Sequence, residues 1–281
     1  MFISGIADEA SPSLPRQIEA HRELGWNHIE LRNVEGKNLI DLDAEAFEKA
    51  AAALQDSGLQ VSCAASQIAN WSRPIDGDFE KDLDEMRRAI PRMQRLRIPF
   101  IRTMSYPNAK PPWNDADWRR ETVRRLKVIA GLAEEAGVTI VHENCHGWGG
   151  QGPQQTLDLL ADIGSDRFQL VFDTGNPVTS GQDAWEYYRL VRDHVVYVHV
   201  KDYQLKAGGK EQAVFPGEGR GHVREIVKDL LSRGYDGGMS IEPHITSVIH
   251  LGKEASDPEL AYRTYVEYGR RFAALLREVG T

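Results

Sequence analysis

Apolar positions along this chain fall into short runs that alternate between two spacings. Runs rich in β-branched and aromatic side chains, at Phe2–Ala7, His28–Arg32, Gln60–Ala65 and Phe100–Met104, predict strands. Between them, apolar residues spaced three and four apart predict helices over Leu14–Leu24, Asp43–Ser57, Asp78–Leu96 and Trp118–Ala136. Gly25, Gly58 and Gly137 close three of these helices, and Pro15 suits a first turn. Pro91, inside the third, predicts a kink or a split there.

The second half repeats the pattern. Predicted strands lie in Thr139–Trp148 (TIVHENCHGW), Gln169–Pro177 (QLVFDTGNP), Val195–Asp202 (VVYVHVKD) and Met239–His244 (MSIEPH). Helices are predicted over Pro153–Ile163, Ala184–Asp193, His222–Arg233 and Pro258–Val279. Strict alternation of strand and helix implies right-handed crossovers and a parallel sheet. Eight such units, in a chain with no linker or low-complexity segment, predict a (β/α)8 TIM barrel with 1–281 as one domain. The competing doubly wound sheet lacks its phosphate-binding GxGxxG after the first strand.

Each of the four later strands finishes on a side chain able to bind a metal: Glu143, Asp173, His199 and Glu242. One acid at a strand end is commonly an ion pair or a cap, but four in series call for a common cause. Glu143 shares parity with Val141, Asp173 with Val171, His199 with Tyr197 and Glu242 with Ser240. An inward parity would converge all four at the C-terminal mouth of the barrel, where active sites of this fold lie. Three carboxylates and an imidazole without thiolate suit Mn²⁺ first, or Mg²⁺, with Co²⁺, Fe²⁺ and Zn²⁺ as further choices. Without a metal, three clustered negative charges repel, so at least one acid is expected to take up a proton.

Composition narrows the functions. Hydrophobic residues make up 41% and charged residues 27%, as in ordinary globular proteins. The net charge of −8 and the lack of a long basic run argue against nucleic-acid and anionic-membrane partners. No apolar run approaches a transmembrane length, and Met1–Gly5 does not resemble a signal peptide, so a cytoplasmic location is the expectation. Cys63 and Cys145 lack CxxC spacing, which leaves two reduced thiols as the simple reading.

The motifs HEN (His142–Asn144), FDTGN (Phe172–Asn176), HVKD (His199–Asp202) and IEPH (Ile241–His244) resemble those of the xylose isomerase-like TIM barrel superfamily, in its sugar phosphate isomerase/epimerase branch. The resemblance covers nearly the whole chain. It implies that Glu143, Asp173, His199 and Glu242 are the metal ligands, with Glu143 and Glu242 also the acid/base pair. In chemical terms, a metal that binds a carbonyl and a neighbouring hydroxyl makes the adjacent C–H acidic by stabilising the enediolate. Returning the proton to the same carbon epimerises it, moving it to the next shifts the carbonyl, and losing a β-hydroxyl dehydrates the substrate. The implied function is a metal-dependent isomerase or epimerase of a sugar or cyclitol, with a lyase or dehydratase as the alternative. Two departures weigh against a free-ketose 3-epimerase. Asn176 stands where those relatives place a histidine, and Tyr203-Gln204-Leu205 stands where they place an arginine. HVKD and the later Pro216-Gly217-Glu218-Gly219 look closer to the inosose dehydratase/isomerase-like members. An apurinic-site endonuclease would need extra histidines at early strand ends, where this chain has Ala64-Ala65-Ser66. A non-catalytic sugar-binding barrel would have no use for all four ligands.

Substrate contacts are expected from Asn176, Lys201, His146, His244, Trp113 and Glu30. Each has a plainer alternative: a salt bridge to Arg32 for Glu30, pairing with Asp202 or another acid for Lys201, and a solvated loop for the histidines. Trp71, Trp113 and Trp148 all leave strand C-termini, where aromatic faces suit the C–H faces of a sugar. The loop Gln204–Gly221 reads as a lid. Pairing through the outer helices into a homo-oligomer is left open by the sequence.

Overall fold

A computed structural model describes residues 1–206, 208–246 and 257–280. Eight strands form one sheet: β1 (Phe2–Gly5), β2 (His28–Leu31), β3 (Gln60–Ala65), β4 (Phe100–Ser105), β5 (Thr139–Gly147), β6 (Phe168–Asp173), β7 (Val195–Val200) and β8 (Gly238–Ile241). Their order is β1-β8-β7-β6-β5-β4-β3-β2, and every neighbouring pair is parallel. A single bridge between Ile6 and Glu30 joins the two ends of the sheet. The result is the nearly closed (β/α)8 barrel that strand–helix alternation predicts.

The principal helices are α1 (Leu14–Glu23), α2 (Ala44–Ser57), α3 (Glu80–Leu96), α4 (Asp115–Ala136), α5 (Pro153–Ile163), α6 (Ala184–Val191), α7 (Val223–Ser232) and α8 (Pro258–Val279). Local chemistry sets their ends. The Asp43 carboxylate accepts the Ala46 N–H at the start of α2, and Gly58, at φ 76°, ends it in the left-handed conformation. Pro91 neither ends nor splits α3, contrary to the stronger of the two expectations. It faces solvent, while Met86, Ala89 and Met93 keep one apolar face buried on both sides of it. That shared burial outweighs the one hydrogen bond that proline removes.

Strand parity divides the core. Outward residues such as Ile29, Ile101, Ile140, Leu170, Phe172, Val198 and Met239 pack beneath the helices. Inward residues fill the barrel in layers. At the N-terminal end Phe2 stacks on His28 with ring centroids 4.0 Å apart, and Phe2 and Phe100 both meet Tyr197. Above them the Tyr197 hydroxyl donates to Glu30 Oε2 at 3.1 Å and shares a hydrogen bond with Ser62, which also bonds Ser4. The next layer up is the charged mouth. Among the described residues no helix is long and apolar enough to cross a membrane.

The loop after β7 takes a more definite form than a free lid. Tyr203–Leu205 pairs antiparallel with Glu211–Ala213, and Ala207 between them lies outside the described residues. The Asp202 carboxylate accepts four backbone N–H groups, from Tyr203, Gly217, Gly219 and Gly221, at 2.8–2.9 Å. A Cβ on Gly219 would run into Asp202 Oδ1 and the Tyr203 carbonyl, so only glycine brings that backbone close enough. The HVKD aspartate and the later Pro-Gly-Glu-Gly segment are therefore two halves of one fastening. Replacing Asp202 with alanine leaves these N–H groups without their acceptor. We expect a loss of about 2–4 kcal/mol in urea unfolding and faster tryptic cleavage after Lys206, Lys210 or Arg220; unchanged values for both would refute this role.

Candidate metal centre and active site

Glu143, Asp173, His199 and Glu242 are brought together at the mouth, as strand parity predicts. One ligand atom from each lies within 4.8 Å of the others, and all four residues are buried. Asp173 is level with His199 on the neighbouring strand, and His199 with Ser240, two residues before Glu242. The motif residues between the ligands staple the strands. Asn144 exchanges two hydrogen bonds with the backbone of Asp173, at 2.6 and 3.0 Å. The Thr174 hydroxyl donates to the Lys201 carbonyl at 2.6 Å and accepts the Lys201 N–H at 3.0 Å.

The ligand atoms have divided roles. Asp173 Oδ1 accepts the N–H groups of Gly175 and Asn176, while no hydrogen-bond donor is aligned on Oδ2. Glu242 Oε1 accepts from Arg32 Nη1 at 2.9 Å and is 3.1 Å from His244 Nε2, while Oε2 has no aligned donor. His199 Nε2 is 3.1 Å from Glu30 Oε1, which leaves Nδ1 turned to the quartet, 3.8 Å from Glu143 Oε1. Glu143 Oε1 accepts the Asn176 amide at 2.9 Å, and its Oε2 accepts from Arg102 Nη1 at 3.1 Å. Three buried ligand atoms without an aligned hydrogen bond, Asp173 Oδ2, His199 Nδ1 and Glu242 Oε2, thus lie close together beside a third carboxylate. Bare carboxylate oxygens are costly to bury without positive charge nearby, which Lys201 supplies to two of them, and the donor set also fits a hard divalent ion. Glu30 would then orient the imidazole from behind, as outer carboxylates do for metal-bound histidines.

Three cations balance these acids. Lys201 Nζ stands 2.7 Å from Glu242 Oε2 and 3.1 Å from Asp173 Oδ2. Arg102 reaches Glu143 and the Ser66 carbonyl. Arg32 joins Asp8, Glu9 and Glu242. Burial alone would raise Glu143, but Arg102 and His199 outweigh it and hold the carboxyl below its ordinary range. Burial is likewise overcome at Glu242, by Lys201, His244 and Arg32. Burial pushes Asp173 up to about 6, with Lys201 opposing and the other two acids reinforcing. It pushes Glu9 up to about 8 against the pull of Arg32. Burial disfavours a charged His199, yet Glu30 and Glu143 together move it up to about 10. Of the three clustered acids, Asp173 is thus the one pushed towards its protonated form, and Glu9 beside them is pushed the same way.

The remaining expected site residues fall at different depths. Asn176 and Lys201 line the quartet, and the Nζ of Lys201 is 3.4 Å from Asn176 Oδ1. His244 lies on Glu242 and Glu9 and shares a 2.7 Å hydrogen bond with the Tyr203 hydroxyl. Glu30 is fully buried beneath His199, and its partners are His199 and Tyr197 rather than Arg32. His146 is exposed beside Cys145, with 3.5 Å between Nδ1 and Sγ. Trp113 is 37% exposed, on a loop tied to Asn108, and Trp71 is exposed too. Trp148 is buried, donates to Asp115 and sits under Arg119, so it packs the protein rather than facing a sugar. Lys201 pairs with Asp173 and Glu242, leaving Asp202 to the loop.

Sequence reasoning missed Arg32 as a partner of Glu242, and missed Arg102 and Glu9 altogether. The parity that found the quartet also points to the arginines: His28, Glu30 and Arg32 share one face of the second strand, and Phe100 and Arg102 one face of the fourth.

A parallel barrel with four buried metal-capable side chains at its C-terminal mouth defines the class. The chain belongs to the xylose isomerase-like TIM barrel family, whose sequence model matches residues 18–272. It is 26% identical to the inosose dehydratase of Lacticaseibacillus casei over 147 residues, 47% of this chain and 49% of that protein. It is 26% identical to the fructoselysine 3-epimerase of Escherichia coli O157:H7 over 164 residues, 57% of this chain and 54% of the other. The chain thus spans about half the length of the curated relatives it matches. Among solved structures, a xylose isomerase-like TIM barrel protein from Mycobacterium smegmatis in complex with magnesium matches with TM-score 0.70 and 18% identity, over 98% of this chain and 97% of that one. At that identity the match speaks for the fold.

Two outcomes test this electrostatic description. Saturating Mn²⁺ added to chelator-stripped protein should raise the melting temperature by about 5–10 °C, from roughly 2.7 kcal/mol at a hundredfold excess over Kd; an unchanged melt would refute stabilisation by the metal. The second concerns pH. The folded pKa of Glu9 lies above its ordinary 4.5, so its contribution to stability is full below 4.5 and lost as pH rises through about 8. Metal-free wild type should therefore lose stability relative to Glu9→Gln between pH 5 and pH 8, and parallel urea-unfolding profiles would contradict this assignment.

Proposed function

We propose that the chain is a divalent-metal-dependent isomerase or epimerase acting on a keto-sugar, a keto-inositol or a related polyhydroxy carbonyl compound. The observation behind this reading is the convergence of four buried metal-capable side chains, Glu143, Asp173, His199 and Glu242, with ligand atoms within 4.8 Å of one another. Glu143, Asp173, His199 and Glu242 would hold the ion, with Mn²⁺ the first choice and Mg²⁺, Co²⁺, Fe²⁺ or Zn²⁺ the others. The metal supplies Lewis acidity, stabilising negative charge on a substrate oxygen as the neighbouring C–H is lost.

The chain's own residues do the proton work. Glu242 is held ionised, so its carboxylate is suited to accept the proton alpha to the carbonyl. Arg32 and His244 fix the carboxylate through Oε1. Glu143, fixed by Arg102 and Asn176, is the second carboxylate for returning a proton. Asn176, Lys201 and His244 are the substrate contacts within this cage, with His146 and Trp113 on the loops around it, and Glu30 acts through His199. A cytoplasmic small-molecule enzyme is the setting that agrees with these assignments.

A second reading, dehydration of a keto-inositol at the same residues, is favoured by the inosose dehydratase relatives and by Asn176, which cannot shuttle a proton at neutral pH. One experiment covers both. Metal-loaded protein is followed by proton NMR in D₂O with ketoses, inososes and 3-keto-glycosides. Deuterium should enter a single substrate carbon, and Glu242→Gln and Glu143→Gln should each slow this at least about 10³-fold. An epimer or isomer supports the first reading and an alkene or its keto tautomer the second; undiminished exchange in both variants would remove the glutamates from the mechanism.

A further inference from the structure

Lys201 stands where the quartet's positive charge is needed. Its Nζ is 2.7 Å from Glu242 Oε2 and 3.1 Å from Asp173 Oδ2, two oxygens of the quartet on which no other donor is aligned. The side chain is 4% exposed, so this is a built contact rather than a wandering surface lysine. Gly175 makes room for it. A Cβ there would lie 2.9 and 3.0 Å from the Lys201 Cγ and Cβ, tighter than a side chain tolerates. Asn176 Oδ1, 3.4 Å from Nζ, accepts on a further side. An ammonium and a divalent ion on the same two carboxylate oxygens oppose each other, because like charges repel in a buried site.

We infer that Lys201 is a built-in competitor for the metal: its ammonium neutralises Asp173 and Glu242 in the metal-free protein and is displaced from them when the ion enters. The inference rests on the reading of the quartet as a metal site. It gives the lysine two positions. In the metal-free protein it holds together carboxylates that would otherwise repel one another. In the loaded protein it is a buried ammonium released from two of its acidic partners, beside Asn176. Loading the metal therefore frees a hydrogen-bond donor in the same step, so an oxygen-rich substrate that accepts from Lys201 tightens metal binding, and the metal tightens substrate binding by the same factor.

The test is calorimetric titration of Mn²⁺ into chelator-stripped wild type, Lys201→Met and Lys201→Arg. Removing the competing charge should tighten Mn²⁺ binding by about tenfold or more in Lys201→Met, and Lys201→Arg should restore weaker binding. Equal or weaker binding to Lys201→Met overturns the inference while leaving the metal site intact. Binding to none of the three proteins overturns the metal site and the inference together. Should Lys201→Met fail to fold without metal, the wild type decides through its Lys ¹⁵Nζ resonances. A buried ammonium signal that moves on titration with diamagnetic Mg²⁺ supports displacement, and one that stays fixed while calorimetry shows Mg²⁺ binding refutes it.

Discussion

The structure depends on keeping six carboxylates and their counter-charges out of water at one end of a barrel. Asp8, Glu9, Glu30, Glu143, Asp173 and Glu242 are all buried, as are Arg32, Arg102, Lys201 and His199. Removing such groups from water costs several kcal/mol each unless every charge meets an opposite one in good geometry. That condition explains why the pairs interlock across the mouth. Arg32 on the second strand's exit spans the end of the first strand and that of the eighth, Arg102 serves the fifth, and Lys201 bridges the sixth and eighth. The chemistry assigned to the site uses this same set, in which most oxygens are fixed by partners and a few are left bare.

Much of this was legible in the sequence because a barrel converts position along a strand into position in space. Once eight strands alternate with helices, the parity of Val141 and Glu143, or of Tyr197 and His199, suffices to place an acid or an imidazole inside the mouth. The counter-charges were harder to see for a reason of reach. Arg32 and Glu242 are far apart in the chain and on non-adjacent strands, and nothing local links them. The nearest acid in sequence, Glu30, is instead taken by His199 and Tyr197. Lys201 and Asp202 are likewise neighbours in sequence that point apart, because consecutive side chains leave a strand in opposite directions. The loop glycines after β7 suggested mobility by composition alone. Only the four N–H groups gathered by Asp202 show that they permit close approach.

The tryptophans show the limit of residue type as a guide. Trp148 and Trp113 both follow strand C-termini, yet one is buried against Asp115 and Arg119 while the other is exposed. Which of two loop aromatics turns inward is decided by packing with the adjoining helix, here α4, and that information is not local.

The seam between the first and second strands adds a further point. Every other pair in the sheet is joined by a ladder of backbone hydrogen bonds, whereas here a single bridge at Ile6 and Glu30 closes the ring. Just above it, Asp8 accepts from the Arg32 guanidinium and from the Asn33 backbone N–H. The barrel is thus a hoop with a clasp, and the clasp is a side-chain ion pair. A ladder fixes strand spacing rigidly, while a carboxylate–guanidinium pair can lengthen or rotate without losing its register. At this joint the ring is closed by side-chain charge as well as by backbone. Because Arg32 also holds Glu242, the closing of the ring and the setting of one carboxylate of the quartet depend on the same guanidinium.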